Sequence, residues 1–150
     1  MIESIQNIGV IGLGRMGTAI ANNILKSGFN LVVYNTTPDS TRSLIEAGAR
    51  KATSPKEVAI KSDILVTSLT DDRAVLDLVT GEDGILSGLK QNSIHVGTST
   101  ISPSLSTQLG EMHSARGCPG VRKPVCCSSS QAYYVCSRRS GGYRAMQSIV

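Results

Sequence analysis

The sequence predicts an α/β fold built on a doubly wound, mainly parallel sheet, on three observations. Short apolar runs of strand length recur along the chain, among them residues 8–11, 30–34, 63–69 and 93–96. Stretches with apolar residues at helical spacing separate them. The junction between the first run and the first helical stretch reads Gly12-x-Gly14-x-x-Gly17. A chain of 150 residues buries roughly 70% of its unfolded surface, enough for one domain with a core.

Residues 8–17 organise the rest. Ile8-Gly9-Val10-Ile11 is a buried strand, and Gly12-Leu13-Gly14-Arg15-Met16-Gly17 turns it into a helix. Gly12 permits the sharp turn, Gly14 lets backbone N–H groups approach a pyrophosphate, and Gly17 lets the helix pack closely on the strand. The helix N-terminus then faces an anion with unpaired donors and a partial positive charge. The pattern predicts a dinucleotide-binding turn of the Rossmann type. A tight βα turn with no ligand is the alternative.

Ala19, Ile20, Ile24 and Leu25 continue the first helix, which Lys26-Ser27-Gly28 closes with a cation and a glycine stop. Asn30 to Tyr34 is the second strand, completing a βαβ unit. The residues after it bear on the cofactor, because a carboxylate there would bond ribose hydroxyls and repel a 2′-phosphate. Here the chain has the neutral Asn35-Thr36-Thr37-Pro38, which favours NADP, with NAD as the other candidate. Asp39 lies slightly later and reads as part of a helix start. Arg42 is either a phosphate contact or an exposed helix-face cation.

A helix over 39–47 stops at Gly48, and Ala49 to Ala52 forms a third strand. Ser54-Pro55-Lys56-Glu57 opens the next helix with a cap, a proline and an acid. Asp63 to Leu69 is the fourth strand, suited to burial on both faces. Asp71 and Asp72 follow it; they resemble a catalytic carboxylate pair, but capping the helix Arg73 to Thr80 explains them better. Gly81 to Gly88 reads as a polar turn, Ser93 to Val96 as the fifth strand, and Gly97-Thr98-Ser99-Thr100 as a hydroxyl-rich loop at its end. Ile101-Ser102-Pro103-Ser104 starts a helix through Leu105, Leu109 and Met112.

Charge divides the chain. Met1 to His113 holds nine Lys or Arg against eleven Asp or Glu, whereas Ser114 to Val150 holds six Lys or Arg and no acid. All four cysteines also lie in the later part. The basic pI therefore belongs to the tail and says little about the partners of the rest. There is no membrane-length apolar run and no signal-like N-terminus, and a first three quarters without cysteine fits a reducing compartment; the expectation is a cytoplasmic protein.

Several segments in order resemble the N-terminal domain of the β-hydroxyacid dehydrogenases, a family that includes 3-hydroxyisobutyrate dehydrogenases, glyoxylate and succinic semialdehyde reductases and, more distantly, 6-phosphogluconate dehydrogenases. They are the glycine turn, Val33-Tyr34-Asn35-Thr36-Thr37-Pro38, Ala47-Gly48-Ala49, Ser68-Leu69-Thr70, Gly84-Ile85-Leu86 and Ser99-Thr100-Ile101-Ser102-Pro103. The resemblance implies that Gly12, Leu13, Gly14, Arg15, Met16 and Gly17 cradle the cofactor pyrophosphate and that Asn35, Thr36 and Thr37 surround the 2′ position. NADP-using members often have Arg where Thr36 stands. Leu69 and Thr70 take the place of a Leu-Pro pair that touches the cofactor. Ser99 is implied to hold a substrate carboxylate and Thr100 to lie by the nicotinamide; a hydroxyl-capped helix entry is their alternative role. Gly97 stands where the family has Asp.

The implied reaction is hydride transfer between a nicotinamide and the carbinol carbon of a small hydroxyacid or aldehyde acid. The family's proton-transferring lysine follows the nucleotide domain and is not matched here, so the expectation assigns no catalytic residue to this chain and reads it as truncated. His95, in an apolar strand, and His113, on a helix flank, are unlike acid–base groups. A small carboxylate-bearing substrate is the expected partner, with no nucleic acid and no membrane; the family is homo-oligomeric. A non-catalytic nucleotide-binding module or inactive fragment is the rival reading.

The expected domain division is 1–116 for the nucleotide-binding unit and 117–150 for a basic Cys/Ser/Arg-rich tail, disordered or translated out of frame. Pro124-Val125 fits a last shared strand, and beyond Val125 no period persists. The cysteines have no C-x-x-C spacing with His113, which argues against zinc. Tyr133 and Tyr134 in a basic arm would suit nucleic acid as the minor alternative.

Overall fold

The structure is a computed structural model that describes residues 5–91 and 93–115, together with the strands at 121–126 and 132–136. Five parallel strands form its centre: β1 (Asn7–Ile11), β2 (Asn30–Tyr34), β3 (Arg50–Lys51), β4 (Ile64–Thr67) and β5 (Ile94–Gly97). Helices α1 (Arg15–Lys26), α2 (Arg42–Glu46), α3 (Pro55–Lys61), α4 (Asp72–Thr80), α5 (Ile85–Gly88) and α6 (Pro103–Ala115) connect or flank them. Two further strands, β6 (Val121–Cys126) and β7 (Ala132–Cys136), complete a sheet in the order β3-β2-β1-β4-β5-β7-β6. The chain moves outward from β1 to β3, then returns to place β4 on the other side of β1. That reversal opens a crevice at the carboxyl ends of β1 and β4, where open α/β sheets bind ligands.

Alternation along the strands feeds two apolar layers. Ile8, Val10, Leu31, Val33, Ile64, Val66, Ile94 and Val96 pack with Ile20, Ala21 and Ile24 of α1 and Leu44 of α2. On the other face Ile11, Val32 and Leu65 meet Val58 of α3, Val75 and Val79 of α4, Ile85 of α5, and Leu105 and Leu109 of α6. Both faces of the central strands are thus covered, which is why their sequences are nearly continuous apolar runs.

Local signals set the helix ends. The α1 helix stops after Lys26, and Gly28 takes φ +81°, a left-handed conformation suited to glycine. Ser54 caps α3 by accepting the Glu57 N–H at 3.2 Å, and Asp71 caps α4 by accepting the Ala74 N–H at 2.9 Å.

Some bounds differ from the sequence reading. The helix expected over 39–47 is a 3₁₀ turn, Pro38–Thr41, followed by α2; such turns are frequent at helix N-termini, and here the Thr41 hydroxyl donates to the Pro38 carbonyl at 2.7 Å, three residues back. The expected polar turn at 81–88 contains α5, whose Ile85 is fully buried. No lasting period was legible past Val125, yet β7 lies there, antiparallel to both β5 and β6. Its partner is the otherwise open sheet edge at β5, about forty residues earlier, and such long-range pairing leaves only Tyr-Tyr-Val, residues that favour strands, as a trace in the sequence. The cysteines at 118 and 127 and the segment 137–150 lie outside the described residues.

Candidate functional site: a glycine turn at the strand crossover

Every residue singled out for cofactor or substrate falls along one edge of the sheet. The glycine turn ends β1, Asn35 to Thr37 follow β2, Leu69 and Thr70 follow β4, and Ser99 and Thr100 follow β5. The strand order makes these four loops neighbours.

The turn has two walls and one open side. Gly12 adopts φ +89°, and a Cβ on it would overlap the carbonyl oxygen of Ser68 beyond β4. A Cβ on Gly17 would overlap the Gly12 carbonyl oxygen. This refines the expected role of Gly17, since the close approach is to the turn itself rather than to the strand. At Gly14, by contrast, a Cβ would meet nothing within 4 Å. Gly14 is the N-cap of α1 and no side chain caps that end, so the first-turn N–H groups face the open side. Arg15 and Met16 are exposed there, Met16 to 42%.

Asn35 fastens the turn to the end of β2. Its Oδ1 accepts the Leu13 N–H at 3.3 Å and its Nδ2 donates to the Thr37 carbonyl at 3.3 Å, while the Gly12 N–H donates to the Tyr34 carbonyl at 3.2 Å. Thr36 and Thr37 are exposed. Arg42 is also exposed and lies 3.8 Å from the Asp39 carboxylate, the arrangement of a helix-face ion pair.

On the other side of the crevice the Leu69 N–H donates to the Ser99 hydroxyl at 2.8 Å, and Ser99 is 2% exposed. Thr98 donates to the Thr67 carbonyl through its N–H and its hydroxyl. The Thr70 hydroxyl donates to Asp71 Oδ2 at 3.1 Å, and the Asp71 carboxyl is held below its usual range by the Ala74 N–H and this hydroxyl. Asp71 is thus a cap, as its position after β4 implies. Thr100 is exposed at the loop tip, and Gly97 stands in register with Tyr134 of β7.

Two features escaped the sequence reading. Asp72 Oδ1 accepts the Ser102 N–H at 3.0 Å, across thirty residues with no local signal. His113, expected on a helix flank, is buried against His95; it falls four residues after Leu109 and eight after Leu105, so it shares their inward face, a spacing that could have revealed it. Among the described residues no group of three His, Cys, Asp or Glu could hold a metal ion, and no helix is long and apolar enough to cross a membrane.

A family described as the NAD binding domain of 6-phosphogluconate dehydrogenase matches residues 7–143. A Bacillus subtilis protein named uncharacterized oxidoreductase YfjR is 46% identical over 118 residues, covering 79% of this chain and 41% of that protein. Mouse mitochondrial 3-hydroxyisobutyrate dehydrogenase is 37% identical over 118 residues, 79% of this chain and 35% of the enzyme. A solved structure described as Psf3 in complex with NADP+ and 2-OPP superposes with a TM-score of 0.72 at 30% identity, covering 80% of this chain and 43% of that one. The chain thus spans less than half the length of these relatives.

Proposed function

Because the chain belongs to the family of the 6-phosphogluconate dehydrogenase NAD-binding domain, we propose that it forms the cofactor-binding domain of an NADP-preferring oxidoreductase of the 3-hydroxyacid dehydrogenase type. The observation that carries the proposal is the glycine turn at the strand crossover, with unobstructed space at Gly14 and only neutral groups at Asn35, Thr36 and Thr37. The NADP+ in the Psf3 structure and the name of the mouse enzyme support it.

Within this reading, the backbone N–H groups of Gly14 to Gly17 bind the diphosphate, flanked by Arg15 and Met16. Leu13 holds the bend through its bond to Asn35. Asn35, Thr36 and Thr37 receive the 2′-phosphate without the repulsion that a carboxylate would bring. Leu69, Thr70 and Thr100 line the nicotinamide half. The bound NADP supplies the hydride acceptor or donor for the carbinol carbon. Ser99, whose oxygen accepts the Leu69 N–H, is the hydroxyl that we assign to a substrate carboxylate. We assign no proton-transfer residue to these 150 residues, and we divide the chain into the nucleotide-binding unit 1–116 and a segment 117–150 whose strands β6 and β7 extend the sheet of that unit. A cytoplasmic setting fits a chain with no cysteine before Cys118.

Calorimetric titration of the chain with NADPH and NADH tests the reading. Tighter binding of NADPH is expected; equal or weaker binding than NADH contradicts the preference, and no binding of either contradicts the nucleotide site. The second reading, a binding module without turnover, is favoured by Gly97, which brings no side chain to the place where the resemblance implies an Asp. Cofactor binding without oxidation of NADPH in the presence of a small aldehyde acid would support it.

A further inference from the structure

The loops after β4 and β5 are tied together twice, in opposite senses. In one direction the backbone of the first loop donates to a side chain of the second, Leu69 N–H to Ser99 Oγ at 2.8 Å. In the other, the backbone of the second donates to a side chain at the start of α4, Ser102 N–H to Asp72 Oδ1 at 3.0 Å. Thr70 and Thr100 lie between these ties, exposed at the carboxyl edge of the sheet.

Asp72 does more than serve its own helix. Asp71 already caps α4, and an acid anywhere in the first turn would suit the helix dipole equally. The bond to Ser102 instead fixes a segment thirty residues further on. Ser102 in turn caps α6, its hydroxyl accepting the Leu105 N–H at 3.3 Å. One carboxylate oxygen therefore sets both the loop that carries Ser99 and Thr100 and the start of the helix behind it.

We propose that Asp72 is a positioning residue, which holds Thr100 and its loop in place for the nicotinamide half of the cofactor. This rests on the nucleotide reading above. With the diphosphate on the β1 turn and the adenosine over β2, the remaining half of a dinucleotide spans toward β4 and β5. An N–H donor is satisfied by a carboxylate or by an amide oxygen, but not by a methyl group, so the hydrogen bond rather than the charge carries the role.

Asp72→Ala, Asp72→Asn and the parent chain are titrated with NADPH and with adenosine 2′,5′-bisphosphate, which fills the adenosine half alone. Asp72→Ala is expected to weaken NADPH about tenfold and to leave the bisphosphate within about twofold. Asp72→Asn restores NADPH to within about threefold of the parent, because it keeps an acceptor. Hydrogen exchange at the Ser102 amide rises in the alanine variant and not in the asparagine variant. Should the alanine variant not fold, Asp72→Ser replaces it, since its shorter side chain cannot span to Ser102. Equal losses for both ligands, an unchanged NADPH affinity, or an asparagine variant as weak as the alanine one would each overturn the role. A parent chain that binds neither ligand overturns the nucleotide site and this role with it, whereas a binding parent with an unaffected variant removes this role alone.

Discussion

His95 Nδ1 and His113 Nε2 lie 2.9 Å apart in the interior, joining β5 to α6. The partners at either end fix the direction of every proton. His113 Nδ1 lies 2.7 Å from the Leu109 carbonyl, which only accepts, so this nitrogen carries a hydrogen, and burial, which disfavours the charged ring, leaves Nε2 without one. His95 Nδ1 therefore donates to His113, and His95 Nε2 accepts from the Thr67 hydroxyl at 3.0 Å. Both rings are neutral in this arrangement, and the chain of bonds crosses from β4 through β5 to the helix behind the Ser99 loop.

Acid should loosen this joint. Burial holds both imidazoles below their ordinary range, and the neighbouring His113 pushes His95 lower still. The unfolded chain takes up protons as pH falls through about 6.5, while the folded chain resists, so stability present above that pH is lost as pH drops below it. Melting temperatures measured from pH 7.5 to 5 should fall, and the double variant His95→Val/His113→Leu should show a flatter profile. His95→Ala alone leaves the His113 acceptor without its donor and opens a cavity, at a cost of about 2–4 kcal/mol in urea unfolding at pH 7.5. An identical acid slope in parent and double variant would assign the pH response to other groups.

A second acid response lies lower. Glu57 is held down to about 2 by the Lys61 ammonium and by the Thr53 N–H and hydroxyl, all of which bond its carboxylate. Its contribution is present above its ordinary value and is lost as pH falls from there toward 2. Glu57→Gln should therefore flatten the stability profile below about pH 4.5 and leave the histidine-dependent region unchanged.

The three glycines of the turn should separate folding from binding. Gly12→Ala and Gly17→Ala place a Cβ against backbone oxygens and should each destabilise the fold by about 1–3 kcal/mol. Gly14→Ala meets no protein atom within 4 Å, so its melting temperature should stay near that of the parent. Its methyl nevertheless enters the open side, and NADPH affinity should fall by about tenfold or more. Melting curves and titrations of the three variants check the contrast.

Asn35→Asp should shift the nucleotide preference. The carboxylate can still accept the Leu13 N–H, but it loses the donor to Thr37 and adds a negative charge at the end of β2. The ratio of NADPH to NADH affinity should drop by about tenfold, mainly through weaker NADPH binding. Arg42→Ala, which removes a cation paired with Asp39 on the exposed helix, should change either affinity by less than about twofold.

The sequence made the glycine turn, the five parallel strands and the capped helices legible because each is written in neighbouring residues. Gly12-x-Gly14-x-x-Gly17 marks a turn, Ser54-Pro55 marks a helix start, and Leu-Val-Val marks a strand buried on both faces. Residues that act across the sheet left no such trace. Asp72 looked like a cap because its partner Ser102 is reached only after α4, α5 and β5 have folded back. His113 shares the inward face of Leu105 and Leu109, but its polarity hid that pattern until His95 was seen to satisfy it. The partnership of β5 and β7 depends likewise on a sheet edge, which no short stretch records.

The central claim is that a nucleotide diphosphate rests on the backbone amides that open α1. Amide chemical-shift mapping by NMR during addition of NADPH tests it residue by residue. The account predicts the largest changes at Gly14 to Gly17, with further changes at Asn35 to Thr37 and at Thr100. Changes confined to other surfaces, or none at saturating NADPH, would contradict it.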